Sequence, residues 1–253
     1  MKLVTWNVNS LKARLERVLE FVDLHRPDVL CLQETKCEDE AFPVDELRAA
    51  GYHAVHHSLG RWAGVAILAT NPPADAVAGL PGEAAEDEAR WIEATVDGLR
   101  IASVYVPNGR AIDSPPFEQK LRFLDALRER MEREPRLDAV AGDFNVTRAD
   151  VDVYDPEAFI GSTHVTTEER TRLEALLDAG YADAYRQLHP DEVGFTWWDY
   201  RQGHFHRKLG LRIDYVLLAD ELAAGLDECG IDRNFRKGKK PSDHAPLLAS
   251  IRR

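Results

Sequence analysis

The stretch from Arg90 to Val106, RWIEATVDGLRIASVYV, constrains the fold of this chain more than any other segment. It contains two apolar runs separated by Asp97-Gly98, a dipeptide that favours the tight turn of a β-hairpin. Strands and helices alternate elsewhere along the chain, but a purely parallel sheet fits this hairpin badly because hairpin strands pair antiparallel. We therefore expect two mixed sheets packed face to face with helices outside, formed by a single domain spanning residues 1–253.

Hydrophobic periodicity predicts the remaining elements. Apolar side chains spaced three or four residues apart indicate amphipathic helices, and short alternating or continuous apolar runs indicate strands. The predicted helices cover residues 11–25, 43–51, 116–133 and 167–179. The predicted strands outside the hairpin cover residues 2–9, 28–33, 52–57, 64–69, 137–142, 195–199, 211–218, 228–232 and 246–252.

The composition is that of an ordinary globular protein. Hydrophobic residues make up 44% of the chain and charged residues 30%, which excludes the disordered and fibrous classes. No apolar run approaches the length that spans a membrane, and the N-terminal residues lack the apolar core of a signal peptide. Cys31, Cys37 and Cys229 form no paired C-x-x-C motif, which argues against a disulfide framework. We expect a cytoplasmic monomer with no membrane attachment.

The charge distribution is uneven. The formal net charge is −12, and such a balance does not by itself suggest a DNA partner. Between Arg201 and Lys240, however, the sequence contains nine basic and six acidic residues. Residues 233–240, RNFRKGKK, form what we call the basic loop; an isolated loop of this kind is usually just solvated, and a phosphate-tracking role becomes credible only beside a catalytic site.

Polar side chains recur at the ends of predicted strands. In TWNVNS, Asn7 lies on the polar face of the first strand, although asparagine is depleted in strands. Alone, each such residue is more simply a cap, a turn or a surface group. Together, carboxylates, amides, a tyrosine and a histidine delivered by separate strand ends are what a hard-cation and phosphate site requires. The set comprises Asn7, Glu34, Tyr105, Asn108, Asp143, Asn145, Asp214, Asp243 and His244.

Two members of this set, Asp243 and His244, are adjacent in the segment PSDHAP. Neighbouring side chains of an extended segment point to opposite faces, so each of the two needs its own partner. The oxygen-rich set favours Mg²⁺, which takes one or two carboxylates with an amide and keeps several waters. We expect Mg²⁺ as the cofactor, with Mn²⁺ able to substitute.

Seven motifs occur in order along the chain: TWNVNSLKAR, LQETK, YVPNG, GDFNV, TWWDY, GLRIDYVLL and PSDHAP. In this order they resemble the exonuclease III family of DNA-repair nucleases, within the endonuclease/exonuclease/phosphatase superfamily. The resemblance covers nearly the whole chain and implies a four-layer α/β sandwich. It also implies Mg²⁺-dependent phosphodiester hydrolysis on double-stranded DNA, comprising incision 5′ to abasic sites, 3′-to-5′ exonuclease activity and removal of blocked 3′ ends.

The resemblance implies a metal environment as well. Glu34 and Asn7 would be its principal members, with Asp243 contributing to the same site or to an adjacent one. Asp143 and Asn145 would orient the attacking water and hold the phosphate beside the ion. The candidate metal ligands are Asn7, Glu34, Asp143, Asn145, Asp243 and His244.

Matching motifs also assign the catalytic roles. Tyr105 would touch the scissile phosphate, and His244, oriented by Asp214, would bind a non-bridging oxygen. Because a carboxylate partner raises the pKa of a histidine, we expect an imidazolium at His244 and a general base at Asp143. A neutral His244 acting as the base is the alternative that the sequence leaves open.

Substrate contacts follow from the same resemblance. Trp197 and Leu211 match positions that form an apolar pocket for a flipped abasic sugar, and one of the two tryptophans of TWWDY would serve only in the core. Arg90 and Arg110 match contacts with the DNA backbone, Asn108 would lie beside the phosphate, and the basic loop would add a further backbone contact.

The sequence departs from the motifs of this family at two places, and two rival functions stay open. Ser10 replaces a glycine that is common in this motif, and YVPNGR resembles the abasic-endonuclease branch, so the balance of the activities stays open. One rival is a phosphatase or phosphodiesterase of the superfamily that acts on RNA ends or inositol phosphates. The other is a nucleic-acid-binding relative that has lost catalysis, which the intact polar set argues against.

Overall fold

The structure is a computed structural model that describes residues 1–82 and 88–252. Within these residues the strands are β1 (Lys2–Asn7), β2 (Val29–Gln33), β3 (His53–His57), β4 (Val65–Ala69), β5 (Ala74–Ala78), β6 (Trp91–Val96), β7 (Leu99–Tyr105), β8 (Ala139–Asp143), β9 (Tyr181–Asp183), β10 (Asp214–Ala219), β11 (Leu226–Ile231) and β12 (Leu247–Ile251). The α-helices of the same residues are α1 (Leu11–His25), α2 (Val44–Ala49), α3 (Pro115–Met131), α4 (Thr167–Asp178), α5 (Ala184–Leu188), α6 (His204–Arg207) and α7 (Asp220–Ala223). None of these helices combines the length and the apolar character that crossing a membrane would require.

The described strands form two six-stranded sheets. The first has the order β11-β12-β1-β2-β4-β3, and the second has the order β5-β6-β7-β8-β10-β9. Each sheet has one parallel pair, β1 with β2 and β7 with β8, among otherwise antiparallel neighbours. The expectation of two mixed sheets is confirmed.

Three apolar clusters arrange these elements in four layers. Between the sheets, residues such as Cys31 of the first sheet and Val216 of the second are fully buried in one cluster. On the outer face of the first sheet, Trp6 packs with Phe21 of α1. The outer face of the second sheet is covered by α3 and α4, and Phe123 of α3 is buried there. This is the predicted four-layer α/β sandwich.

The hairpin has the predicted turn. Asp97 and Gly98 both have positive φ, 50° and 81°, as a two-residue type I′ turn requires. Val96 pairs with Leu99, so the turn contains only these two residues. The turn therefore fixes the register of β6 against β7, the strand that ends at Tyr105.

Several elements differ from the expectation, including the short β9, α5, α6 and α7, which were not predicted. The segment 195–199 forms no strand, because Trp197 makes only isolated bridges to Leu211 and to His244. β10 accordingly begins at Asp214, later than the predicted residue 211. In contrast, β5 was not predicted, because its five residues are all exposed at the sheet edge and show no buried face.

Helix α1 begins in a strained conformation. Ser10 is its N-cap and has φ 89° and ψ 104°, a conformation that favours glycine. The Ser10 side chain accepts a long hydrogen bond of 3.4 Å from the Ala13 backbone N–H. The residue that departs from the related motif is thus also the residue that carries backbone strain.

We expect Ser10→Gly to stabilise the protein by about 1 kcal/mol. Removing the strain of a side chain at positive φ should raise the free energy of unfolding by about 1–3 kcal/mol. Replacing a serine N-cap by glycine lowers that free energy by only about a few tenths of a kcal/mol. Urea unfolding of both proteins measures the difference. Ser114, the N-cap of α3, has an extended backbone and provides the matched control. Ser114→Gly should not stabilise, and equal effects at both caps would contradict the strain at Ser10.

Candidate active site

Five strand ends meet at one edge of the sandwich. Asn7 ends β1, Glu34 follows β2, Tyr105 ends β7, Asp143 ends β8 and Asp214 begins β10. Asp143 pairs with Tyr105 on one side and with Asp214 on the other, which brings the three side chains to one place in the second sheet. The polar residues predicted from separate strand ends therefore converge.

Asn7 connects the two sheets. Its amide nitrogen Nδ2 donates to Glu34 Oε1 at 2.8 Å and to Asp143 Oδ2 at 2.9 Å. Its oxygen Oδ1 accepts from the Asn9 backbone N–H at 3.0 Å. In this arrangement the Asn7 nitrogen orients both carboxylates while its oxygen faces Asn9, and a role of Asn7 as a metal ligand stays a prediction.

Glu34 is held ionised by its neighbours. Burial opposes ionisation, but Lys36, with Nζ 2.5 Å from Oε2, and the amide of Asn7 hold the pKa of Glu34 below its usual value. Burial raises the pKa of Tyr105 well above its usual value, and the negative charge of Glu34 acts in the same direction. Tyr105 is thus a neutral hydroxyl beside a carboxylate.

His244 lies between two aspartates. Its Nδ1 is 2.8 Å from Asp214 Oδ2, and its Nε2 is 3.7 Å from Asp143 Oδ2. Burial disfavours the charged imidazolium, but the charges of Asp214 and Asp143 outweigh it and raise the pKa of His244 to about 10. Burial also raises the pKa of Asp143 to about 7, against the opposing charge of His244.

Glu34, Asp143 and His244 form a group whose ligand atoms all lie within 4.8 Å of one another. Two of the three donors are carboxylate oxygens, the type that Mg²⁺ prefers, and they come from different sheets. Glu34 and Asp143 therefore fit a hard divalent cation. A charged His244, with both ring nitrogens protonated, offers a hydrogen-bond donor instead of a ligand.

Asp243 has partners outside this group. Its Oδ1 accepts from Asn9 Nδ2 at 3.0 Å, and its Oδ2 accepts from Trp197 Nε1 at 3.2 Å. Asp243 and His244 thus face different partners, as the extended segment predicts. The three-residue group does not include Asp243, and its contribution to that site or to an adjacent one stays a prediction.

The asparagines of YVPNG and GDFNV contact each other. Asn145 has φ 52° and donates from Nδ2 to the Val106 carbonyl at 3.0 Å. Its Oδ1 accepts from Asn108 Nδ2 at 3.3 Å, and its backbone N–H donates to Asp143 Oδ1 at 2.9 Å. Asn145 is therefore fixed relative to Asp143, its amide oxygen is directed to Asn108, and its place among the metal ligands stays a prediction.

The residues of the predicted apolar pocket pack against one another. Leu211 is fully buried and bridges to half-buried Trp197, and Ile213 joins the same small cluster. Trp198 is also fully buried, so it is the tryptophan of TWWDY that serves the core. The pocket for an abasic sugar stays a prediction, with Ile213 as a member that the sequence did not single out.

A groove of about 480 Å³ opens beside Glu34 and Tyr105, and Arg90, Asn108, Arg110 and Trp62 also line it. The Arg90 guanidinium lies 4.6 Å from the centre of the Tyr105 ring and pairs with Glu88 at 2.5 Å. Arg110 and Asn108 are exposed, and Trp62 is 65% exposed, at the rim.

The sequence did not single out Lys120, Glu169 or His164, which lie directly behind the asparagines. Lys120 and Glu169 form an ion pair in which both side chains are fully buried. The signal was present, because Lys120 falls on the apolar stripe of α3 at helical spacing from Phe117 and Leu124. A charged residue on a buried helix face needs a specific partner.

Comparison with known proteins places this geometry in a family. The family model described as "Endonuclease/Exonuclease/phosphatase family" matches residues 4–244. The chain is 32% identical, over the full length of both proteins, to exodeoxyribonuclease III of Haemophilus influenzae. The chain belongs to the exonuclease III/AP endonuclease family. The resemblance stated from the seven motifs is confirmed.

Two solved structures support this membership. An AP endonuclease from Archaeoglobus fulgidus is 35% identical with a TM-score of 0.95, and the match covers 99% of each chain. The 3′ phosphatase NExo from Neisseria, solved bound to a product DNA hairpin, is 40% identical with a TM-score of 0.95, and the match covers 100% of each chain. The two relatives have the same fold but different named activities.

We expect Mg²⁺ to raise the Tm of this protein, because only the folded chain brings Glu34 and Asp143 together. At a hundred times Kd, binding to the folded state alone adds about 2.7 kcal/mol of stability. Glu34→Gln should abolish most of the shift, whereas Glu174→Gln, which removes an acid paired with Arg148 away from the site, should keep it. Thermal unfolding with Mg²⁺ or EDTA measures this, and equal shifts in all three proteins would contradict the assigned ligands.

Proposed function

We propose that this protein is a Mg²⁺-dependent DNA-repair nuclease that hydrolyses phosphodiester bonds of double-stranded DNA, incising 5′ to abasic sites and processing 3′ ends. The observation that carries the proposal is the convergence of Glu34, Asp143 and His244, with His244 backed by Asp214. A carboxylate pair that fits a divalent cation, next to an imidazole that can donate to a phosphoryl oxygen, supports phosphoryl transfer because both groups stabilise the charge that develops there.

One site can serve all the predicted reactions. Incision 5′ to an abasic site, 3′-to-5′ exonuclease action and removal of a 3′ phosphate each break the bond between phosphorus and the 3′ oxygen. Water forms the new bond to phosphorus, and the 3′ oxygen leaves and takes up a proton. The relatives named AP endonuclease and 3′ phosphatase are consistent with this common chemistry.

The residues of the chain have distinct roles in this reaction. Asp143, whose pKa lies at about 7, accepts the proton of the attacking water. His244 donates a hydrogen bond from Nε2–H to a non-bridging oxygen, while Asp214 fixes its ring through Nδ1. The neutral hydroxyl of Tyr105 and the amides of Asn145 and Asn108 line the place of the phosphate.

The carboxylates of Glu34 and Asp143 would hold the ion. Mg²⁺, for which Mn²⁺ can substitute, supplies charge stabilisation at the phosphoryl oxygens when it is bound. Asn7 orients both carboxylates from between them, and Lys36 keeps Glu34 ionised. Asp243, which accepts from Trp197, would contribute to the same ion or to an adjacent site.

Basic side chains line two grooves, one of which opens at Glu34 and Tyr105. In the basic loop, Lys239 and Lys240 are exposed and border a groove with Lys12 and Arg17 of α1. Arg236 instead is buried and donates to the Trp198 carbonyl at 3.1 Å, so it supports the loop and does not face solvent. We infer that the lysines follow the DNA backbone and that Arg90 and Arg110 contact it from the other groove. The cytoplasmic location and the monomeric state stay predictions of the sequence.

A duplex with one tetrahydrofuran abasic analogue, and a nicked duplex with a 3′ phosphate, test the proposal. We expect Mg²⁺-dependent cleavage of both that EDTA abolishes. His244→Asn should lower kcat about 100- to 1000-fold, as for loss of one donor to a developing charge. His25→Asn is the matched control, because His25 also contacts an aspartate, Asp232, at 2.8 Å but lies away from the site.

Three outcomes separate the candidate activities. Cleavage of both duplexes supports a nuclease with both activities, and cleavage of the 3′ phosphate alone restricts the enzyme to 3′-end processing. Folded protein that cleaves neither duplex would refute the proposal and direct the search to RNA ends and inositol phosphates.

The pH dependence of kcat/KM should be bell-shaped. The fraction with ionised Asp143 rises as the pH increases through about 7, and the fraction with protonated His244 falls as the pH increases through about 10. A bound cation favours the ionised carboxylate, so higher Mg²⁺ should move the acid limb to lower pH. His244→Asn should remove the alkaline limb, and an unchanged alkaline limb would contradict the imidazolium assignment.

A further inference from the structure

A buried cation lies behind the proposed active site. Lys120 of α3 is fully buried, and its Nζ donates to the backbone carbonyls of Asn145 at 2.7 Å and Asn108 at 3.2 Å. It also donates to Thr163 Oγ1 at 3.1 Å and pairs with the carboxylate of Glu169. One ammonium group thus connects three loops with α4.

Glu169 strengthens this connection at the start of α4. Its Oε1 accepts from Thr163 Oγ1 at 2.7 Å and from the His164 backbone N–H at 2.9 Å, and its Oε2 accepts from Thr166 Oγ1 at 2.8 Å. The His164 ring contacts the same asparagine, because its Nδ1 lies 2.5 Å from the Asn145 carbonyl oxygen. The Asn145 carbonyl therefore receives both the ammonium and the imidazole.

Stability alone does not explain this pair. Two charges removed from water lose much of their hydration, and well-packed apolar residues of similar volume often stabilise a core as well or better. Lys120 occupies the buried face of α3, on which Phe117, Phe123 and Leu124 are apolar. What an apolar pair could not provide is a set of fixed donors for the carbonyls of Asn108 and Asn145.

We propose that Lys120 and Glu169 are positioning residues that hold Asn108 and Asn145 in register with Asp143 for phosphate binding in the transition state. The inference rests on the proposed function, because it assigns the pair to the same site. Asn145 is linked to Asp143 through its backbone N–H and to Asn108 through its amide, so a shift of its carbonyl moves all three. A displacement of about 1 Å at a reacting group can cost about 100-fold in rate.

The test is a charge-free double variant, Lys120→Met with Glu169→Gln. It leaves no unpaired buried charge and keeps one side-chain acceptor for the Glu169 contacts. The control on the same helix is Arg130→Met, because Arg130 pairs with buried Glu93 at 2.8 Å away from the site and Glu93 keeps Arg100 as its partner. We expect both proteins to stay folded, with kcat lowered about 100-fold and KM unchanged in the first variant only.

Two further measurements exclude a purely structural effect. In an Asn145→Ala background, the Lys120 double variant should lower kcat much less than in wild type, because residues that act through each other are not additive. Lys120→Arg, which retains the charge and the donors, should recover most of kcat. Equal kcat in the Lys120 and control variants, or full additivity with Asn145→Ala, would overturn the inference, and so would a folded Lys120→Arg protein as inactive as the methionine variant.

Failure of the proposed function is distinguishable from failure of this inference. If wild-type protein cleaves neither duplex, the proposed function fails, and amide hydrogen exchange then decides the positioning role. The backbone N–H of Asn145 donates to the Asp143 carboxylate, and the backbone N–H of Thr147 donates to the His164 carbonyl. Neither group bonds to an altered side chain. They should exchange faster in the Lys120 double variant and at the wild-type rate in the control, and unchanged exchange in both would overturn the positioning role.

Discussion

The nitrogen of one side-chain amide joins the two sheets at the site. Asn7 Nδ2 donates to a carboxylate that follows β2 in the first sheet and to another that ends β8 in the second. Two like charges would otherwise repel across the gap between the sheets, and the shared donor, Lys36 and His244 compensate for that repulsion. The spacing of the carboxylates, and hence any cation site, depends on this contact.

A chain of buried polar contacts supports the same junction from below. Thr5 donates to Gln33 Oε1 at 3.1 Å, Gln33 donates to Ser103 Oγ at 3.1 Å, and Ser103 donates to the Leu32 carbonyl at 3.1 Å. These groups lie between the sheets, where an unpaired polar atom would be costly. These hydrogen bonds therefore favour one alignment of β1 and β2 against β7. An apolar interface alone would specify that alignment less strictly.

The sequence predicted most of the fold and the members of the site, but not the direction in which several side chains point. The hairpin turn and the helices follow from local residue chemistry, whereas β5 has no buried face from which a pattern could arise. Convergence of Glu34, Asp143 and His244 followed from motifs at strand ends. The inward turn of the Asn7 nitrogen and the burial of Leu211 depend on contacts between distant segments, which no local pattern encodes. Lys120 carried a local signal, a charge on an apolar stripe, that only the position of Glu169 explains.

The pairing of β1 with β12 has a consequence for how the site is assembled. Val4 of β1 pairs with Leu248 of β12. β1 ends at Asn7, and β12 begins shortly after His244. The pairing joins residues far apart in the sequence, and contacts of this kind slow folding because the entropy of closing the loop between them must be paid first. Because His244 lies just before β12, its contacts with Asp214 and Asp143 depend on this long-range pairing, whereas the carboxylates of Glu34 and Asp143 are brought together by the strands of the interior of the chain.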